Sequence, residues 1–291
     1  MDVDALVSQG WSDHPKDPAG VATRLEQHIE LVRDGDGAAK YMHLVNHVLG
    51  DHLGRREDAT QLCEDAMRRA GDDPGESPYV HLAVARTMSG DGDGAEAAIE
   101  VLGGDLPQRV RVGLLVAQSH ANAGAFEDAA RIYDEQMALG AELPDGHSAE
   151  RSFAIVSNNI ANEILNEAPR SPTNDALMER AAHAAHTYWC RVGTWVNDER
   201  ADYLLALVHN KLGRHEEART FADRALATIA DADGEEKVDE AFIHLARAAA
   251  CRDLGAADDQ AASIAEAERL AEGFDGPGLD EWFQEELAKA R

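Results

Sequence analysis

Aromatic residues make up only 5% of the 291-residue chain, and it holds just 3 cysteines and 9 prolines. Three scattered cysteines (Cys63, Cys190 and Cys251) build no disulfide framework and suit a reducing cytoplasm. The sparse proline, set against abundant alanine, excludes collagen, a disulfide-stapled mini-protein and an all-β sandwich. No apolar run reaches the roughly 18 residues that a membrane-spanning helix needs. The first residues, MDVDALVSQG, are acidic and carry no apolar stretch of the secretory kind. Positive charge is also short: 27 Lys and Arg face 55 Asp and Glu, a formal net charge of -28. Such a surface repels phosphate backbones and anionic lipid, so neither nucleic acid nor membrane is expected as a partner. Phosphate-cradling G-x-x-x-x-G-K-[ST] and the nucleophile elbow G-x-S-x-G are both absent. The expectation is a cytoplasmic protein, and the abundance of Ala, Arg, Gly and Asp suits a GC-rich, bacterial genome.

What the chain does have is a period. Four segments pair a helix ending in glycine with an acidic turn and an alanine-rich helix: DHLGRREDATQLCEDAM, RTMSGDGDGAEAAIEVL, ANAGAFEDAARIYDEQM and NKLGRHEEARTFADRAL. Gly54, Gly90 and Gly124 are spaced by 36 and 34 residues; Gly213 follows after 89, and Gly255 after another 42. Five residues past the first four glycines stand Ala59, Ala95, Ala129 and Ala218. Seven residues ahead of Gly90, Gly124 and Gly213 stand Ala83, Ala117 and Ala206. Glycine lets the chain reverse at positive φ, and the paired small residues let two helix axes approach closely. A helix pair cannot bury its apolar face alone, so neighbouring pairs stack.

This pattern resembles the tetratricopeptide repeat family over about 36-272, most closely around Gly90, where Tyr79, Leu82, Ala83, Ala95, Ile99 and Leu102 fall in pattern. The unit at Gly54 departs, with His47 at a small-residue position. At Gly255, Gln260 replaces the second alanine, and His120 and His209 stand in for the family tyrosine. The resemblance implies an all-α, right-handed α-solenoid of antiparallel helix pairs. Residues 1-18 form an N-terminal segment and 19-291 a single repeat domain. Predicted helices cover 19-34, 36-53, 56-70, 76-89, 93-103, 107-123, 126-139, 197-212, 215-230, 236-254 and 257-272. An enlarged pair occupies about 148-193, split by the two prolines of APRSPTND. After a Gly-Pro-Gly break at 276-278, residues 279-291 form a capping helix. Ser77-Pro78 reads as a helix cap followed by proline in the first turn.

In a repeat of this kind, first-helix positions line a concave face. Counted from each glycine, the early units place apolar Leu44, Val48, Val80, Val84 and Leu114 there. Polar positions follow in Arg111, Gln118, Asn122, Arg200, Tyr203, Asn210 and Lys211, and the enlarged pair adds Asn158 and Asn162. An asparagine amide both donates and accepts, which suits an extended peptide backbone, and Arg or Lys suits a carboxylate. These nine polar residues are the expected groove of a non-catalytic protein or peptide scaffold, with Arg111, Arg200 and Lys211 for a carboxylate and Tyr203 for an apolar side chain. The apolar early lining is the alternative candidate, as a dimer or partner-helix interface, and homo-oligomerisation stays open.

Two rival functions remain: a small-molecule or regulatory module, and a metal-dependent enzyme on the histidine-rich faces. His183, His186 and Cys190 share one helix face at i, i+3 and i+7. His43 and His47, near His52, have the i, i+4 spacing of zinc sites without the glutamate of H-E-x-x-H, since Leu44 stands there. Packing is expected to explain both, so no metal or cofactor is assigned. SGDGDGAE resembles a calcium loop, but Leu102 falls where the final glutamate belongs. The aromatic stretch Tyr188, Trp189, Trp195 and Tyr203 is expected to fill the joint after the enlarged pair.

Overall fold

The computed structural model describes residues 1-276 and 278-291. Among them the regular elements are helices throughout: α1 (Val3–Asp13), α2 (Pro18–Gln27), α3 (Gly35–Val45), α4 (Arg56–Ala70), α5 (Glu76–Ser89), α6 (Gly92–Val101), α7 (Leu106–Asn122), α8 (Phe126–Gly140), α9 (Glu150–Asn166), α10 (Pro172–Val192), α11 (Trp195–Lys211), α12 (His215–Asp231), α13 (Lys237–Asp253), α14 (Ala257–Ala271) and α15 (Leu279–Ala290). A 3₁₀ turn, Ile29–Leu31, follows α2, and a π-helical segment, Asn46–His52, continues α3. The fold is an all-α helical repeat. Its contacts divide it into two compact units, Met1–Ser152 and Phe153–Arg291.

Each unit stacks antiparallel helix pairs. In the first unit α3, α5 and α7 lie side by side, each packed on its own second helix, α4, α6 and α8. In the second, α11 and α13 neighbour each other with α12 and α14 behind them, and α15 packs on α13 and α14. The register glycines behave as their spacing predicts: Gly54, Gly90, Gly124, Gly213 and Gly255 all have φ between 65 and 86°. Gly90 is a left-handed C-cap, and the next amide, Asp91 N–H, reaches back to the Arg86 carbonyl at 2.8 Å. The small residues sit where the pairs touch, with Ala83, Ala117, Ala206, Ala218 and Ala248 fully buried.

The departures from the repeat have local causes. After Gly90, Gly124, Gly213 and Gly255 the next amide bonds five residues back, but after Gly54 Arg55 N–H reaches six back, to Leu49. One extra residue is therefore accommodated, and the π segment holds it. That insertion turns His47 away from the small-residue seam. At the Gly255 unit, Gln260 Nε2 donates to the Ala290 carbonyl at 2.9 Å and so ties α14 to the end of α15.

Several boundaries differ from the sequence reading. Residues 1-18, expected as a bare segment, contain α1, capped by Asp2, which accepts from Ala5 N–H at 2.9 Å. The predicted 36-53 helix is α3 plus the π segment. Ser77 is inside α5 rather than its cap, because Gly75 at φ 78° precedes the helix. Pro277 of the Gly-Pro-Gly break lies outside the described residues.

Candidate functional site

In the second unit, the exposed faces of α9, α11 and α13 enclose a groove of about 630 Å³, with α15 along one rim. Its floor is apolar: Tyr203 and Leu207 of α11, then Phe242, Leu245 and Ala246 of α13. Trp282 of α15 stays 49% exposed, yet its ring stacks on Phe242 with centroids 4.1 Å apart. Phe283, next in sequence, is 2% exposed and anchors the same helix in the core. Thus one face of α15 is fixed by burial while Trp282 borders the open space. Burial pushes the Tyr203 hydroxyl up, so the phenol stays protonated and can donate.

The rim carries amides and charges. Asn162, which lines the groove from α9, donates Nδ2 to the Asn158 carbonyl at 2.9 Å. Asn210 Nδ2 donates to the Ala246 carbonyl at 2.8 Å, and its Oδ1 faces His215 Nδ1 at 3.4 Å. Arg252 grips Asp253 through two contacts of 2.7 and 2.8 Å, and Lys289 pairs with Glu286 at 2.6 Å. Lys211 is the one groove cation with no carboxylate partner among the described residues.

Of the nine polar residues expected at a groove, Asn162, Tyr203, Asn210 and Lys211 line this one. Asn158 is one turn earlier on α9, where its amide is 3.4 Å from Asn159 Oδ1. Arg200 is not among the residues lining this groove. Its guanidinium bonds Asp239 at 2.7 Å and faces Glu199 and Glu236 at 3.6 and 3.9 Å. The other three belong to the first unit. There the equivalent inner face holds a crevice of about 20 Å³, bordered by Gln118 and Asn122. Asn122 Nδ2 donates to Asp51 at 2.9 Å and lies 3.2 Å from His47 Nδ1. Burial disfavours protonation of His81, and His43 and half-buried Arg111 nearby add to it. The apolar early positions Leu44, Val48, Val80, Val84 and Leu114 are at most 3% exposed, so they form core rather than an open interface. Leu44 lies directly over Gly10 of α1, at 2.5 Å from where a β-carbon would stand.

The sequence reading missed Phe242, Trp282 and the Arg252–Asp253 and Lys289–Glu286 pairs. Trp282 was the findable one: an aromatic in a helix that otherwise reads as a polar cap. His183 does not join His186 and Cys190. His183 packs edge-on to His209 with centroids at 5.7 Å, while His186 faces Asp202 at 3.2 Å and Cys190 at 3.7 Å. Burial and the nearby Asp198 raise the Cys190 thiol, which keeps it protonated. Tyr188 stacks on Phe153 of α9 at 4.7 Å, inside the enlarged pair rather than at the joint after it, and Tyr203 lines the groove.

No family model matches the chain, and no curated protein matches it. Among solved structures it is similar to BtubC from P. vanneervenii, at 16% identity over 87% of this chain and 94% of that one, with a TM-score of 0.49. It is also similar to the quorum sensor NprR from B. thuringiensis in its apo form, at 14% identity over 91% and 86%, with a TM-score of 0.40. NprR in complex with its cognate peptide NprX aligns at 14% identity over 98% and 86%, with a TM-score of 0.38. At these TM-scores the likenesses bear on neither site nor mechanism.

Proposed function

We propose that the chain is a non-catalytic peptide-interaction module of tetratricopeptide type, holding an extended partner segment in the groove of its second unit. The observation that supports this reading is an open groove walled by the half-exposed Trp282, stacked on Phe242, that also carries an ammonium, Lys211, with no carboxylate partner among the described residues. A rigid aromatic wall offers area at low entropic cost, and aromatic anchors dominate binding energy where they are desolvated. The ligand fitting it has an apolar side chain against Trp282 and Leu207 and a carboxylate near Lys211. Asn162 Oδ1 accepts from its backbone. Catalysis is not part of the reading: the groove offers neither histidine nor cysteine, and its two carboxylates are held by Arg252 and Lys289.

The test selects peptides with free C-termini from a random displayed library on the full chain and titrates the best binder. Trp282→Ala should weaken it by about 30-fold, the scale of an aromatic hot spot. Selected peptides that bind Trp282→Ala and Lys211→Ala as tightly as the parent chain would refute the groove as the site.

A further inference from the structure

We propose that His14, His47 and His52 of the first unit form a three-imidazole site for a zinc-class divalent cation. Their Nε2 atoms converge: His47 Nε2 is 3.1 Å from His14 Nε2 and 3.0 Å from His52 Nε2, and all three fall within 4.8 Å of one another. A tetrahedral zinc with bonds of about 2.0–2.1 Å holds its ligand nitrogens roughly 3.3 Å apart. Two of the three separations are already near that value. The side chains come from α1's C-terminal turn and the π segment, so the site is built by two elements rather than one helix face.

The backbone is shaped for this convergence. His47 and His52 are five residues apart, which puts them on different faces of an α-helix. The π segment, with its i→i+5 bond from Leu53 N–H to the Val48 carbonyl at 3.1 Å, brings them over one another. Their rings stand 4.5 Å apart at 90°. On the other side His14 Nδ1 lies 2.8 Å from the Trp11 carbonyl. That nitrogen can only donate there, so His14 Nε2 carries a bare lone pair. The Trp11 indole packs against both His14 and His47, at 5.3 and 4.9 Å, and fixes the ring planes.

Hydrogen bonding alone does not account for the cluster. One proton on His47 Nε2 serves a single neighbour well, whereas two other ring nitrogens face it at 3.0–3.1 Å. A cation there accepts all three lone pairs. Binding then moves the His47 proton to Nδ1, on the side of the buried Asp51 carboxylate 3.8 Å away, and requires the Asn122 amide nitrogen, 3.2 Å from Nδ1, to move off it. His52 is exposed, which gives a cation access and leaves the fourth coordination position to water or to a donor from a ligand.

The experiment titrates zinc into the metal-free full chain by calorimetry and by competition with a chromophoric chelator. One equivalent is expected to bind at micromolar concentration or tighter. His52→Ala, at an exposed position, and His14→Gln should each lose about 100-fold, and Asp51→Asn about 10-fold, the range seen for supporting partners. His183→Ala, which breaks the separate Glu179, His183 and His209 group, should bind as the parent does. Absence of stoichiometric zinc in the parent chain would overturn the proposal. So would unchanged affinity in both His52→Ala and His14→Gln, or loss of binding in His183→Ala alone.

Discussion

The two units place the same repeat face in opposite states. In Met1–Ser152 the inner face of α3, α5 and α7 is closed: α1 lies on Leu44, and His43, His47, His81, Asp51 and Asn122 interlock around a crevice of about 20 Å³. In Phe153–Arg291 the face of α9, α11 and α13 is open over about 630 Å³, and α15 walls its edge without filling it. The repeat supplies a concave surface in both. What decides whether that surface stays open or is packed over is the extra helix added to it, and how much of that helix is anchored elsewhere.

The largest expected effect tests that anchor. Phe283 is buried against Phe242 and Phe274 with ring centroids at 5.9 and 5.7 Å. Phe283→Ala should cost about 3–5 kcal/mol, as removal of buried aromatics does. Hydrogen exchange should show the loss of protection concentrated in α13 to α15, with α3 to α7 unaffected. Equal loss in both units would erase the distinction between them.

A second test asks whether the helix seams of the units are equivalent. Ala117 and Ala206 occupy the same repeat position and are both fully buried. Ala117→Leu and Ala206→Leu should each destabilise by about 1–3 kcal/mol through overpacking, read from denaturant midpoints. An unchanged midpoint in either would show that its seam has room.

These alanines and their glycines are legible in the sequence because the seam is a local property: a reversal at positive φ and two small residues within a few turns. The functional surfaces are less so. Asn210 bonds the Ala246 carbonyl, 36 residues on, and Arg200 is captured by Asp239, 39 residues on. No local period reports such pairings. His47 is visible in the sequence only as a misfit in the Gly54 unit. Its meaning depends on an inserted residue in the π segment and on His14, which lies 33 residues earlier. Trp282 reads with its helix as a cap, and only the stacking on Phe242 turns it into a wall.

A smaller effect concerns the acidic end of α11. Glu199 is fully buried, and burial, reinforced by the Asp239 carboxylate, pushes it up to about 9, with Arg200 only partly offsetting. Folded chains therefore keep this proton where unfolded ones have lost it. Stability contributed by the protonated acid is complete below the ordinary glutamate value and declines as pH rises from there to about 9. Glu199→Gln should raise the melting temperature at pH 8, by on the order of 1 kcal/mol in stability, and leave it unchanged at pH 4. A stabilisation equal at both pH values would place the cause outside this carboxyl.

The smallest effect separates ligand contact from scaffold within the open unit. Arg200 and Lys211 are on the same helix, and residue type alone makes them equal candidates for a ligand carboxylate. Their surroundings differ. Arg200 already faces the carboxylates of Asp239 and Glu236, so an incoming carboxylate meets an excess of negative charge there. Lys211 borders the groove without a carboxylate partner among the described residues. Arg200→Ala should change the affinity of a selected peptide less than about twofold, since a solvated or committed cation contributes little to binding. It should instead lower stability, because it leaves the carboxylates of Glu236 and Asp239 beside each other uncompensated. Lys211→Ala should show the reverse pattern, weaker binding with an unchanged unfolding midpoint. If Arg200→Ala weakens the peptide more than Lys211→Ala does, the ligand's carboxylate lies at the start of α11 and not at its end.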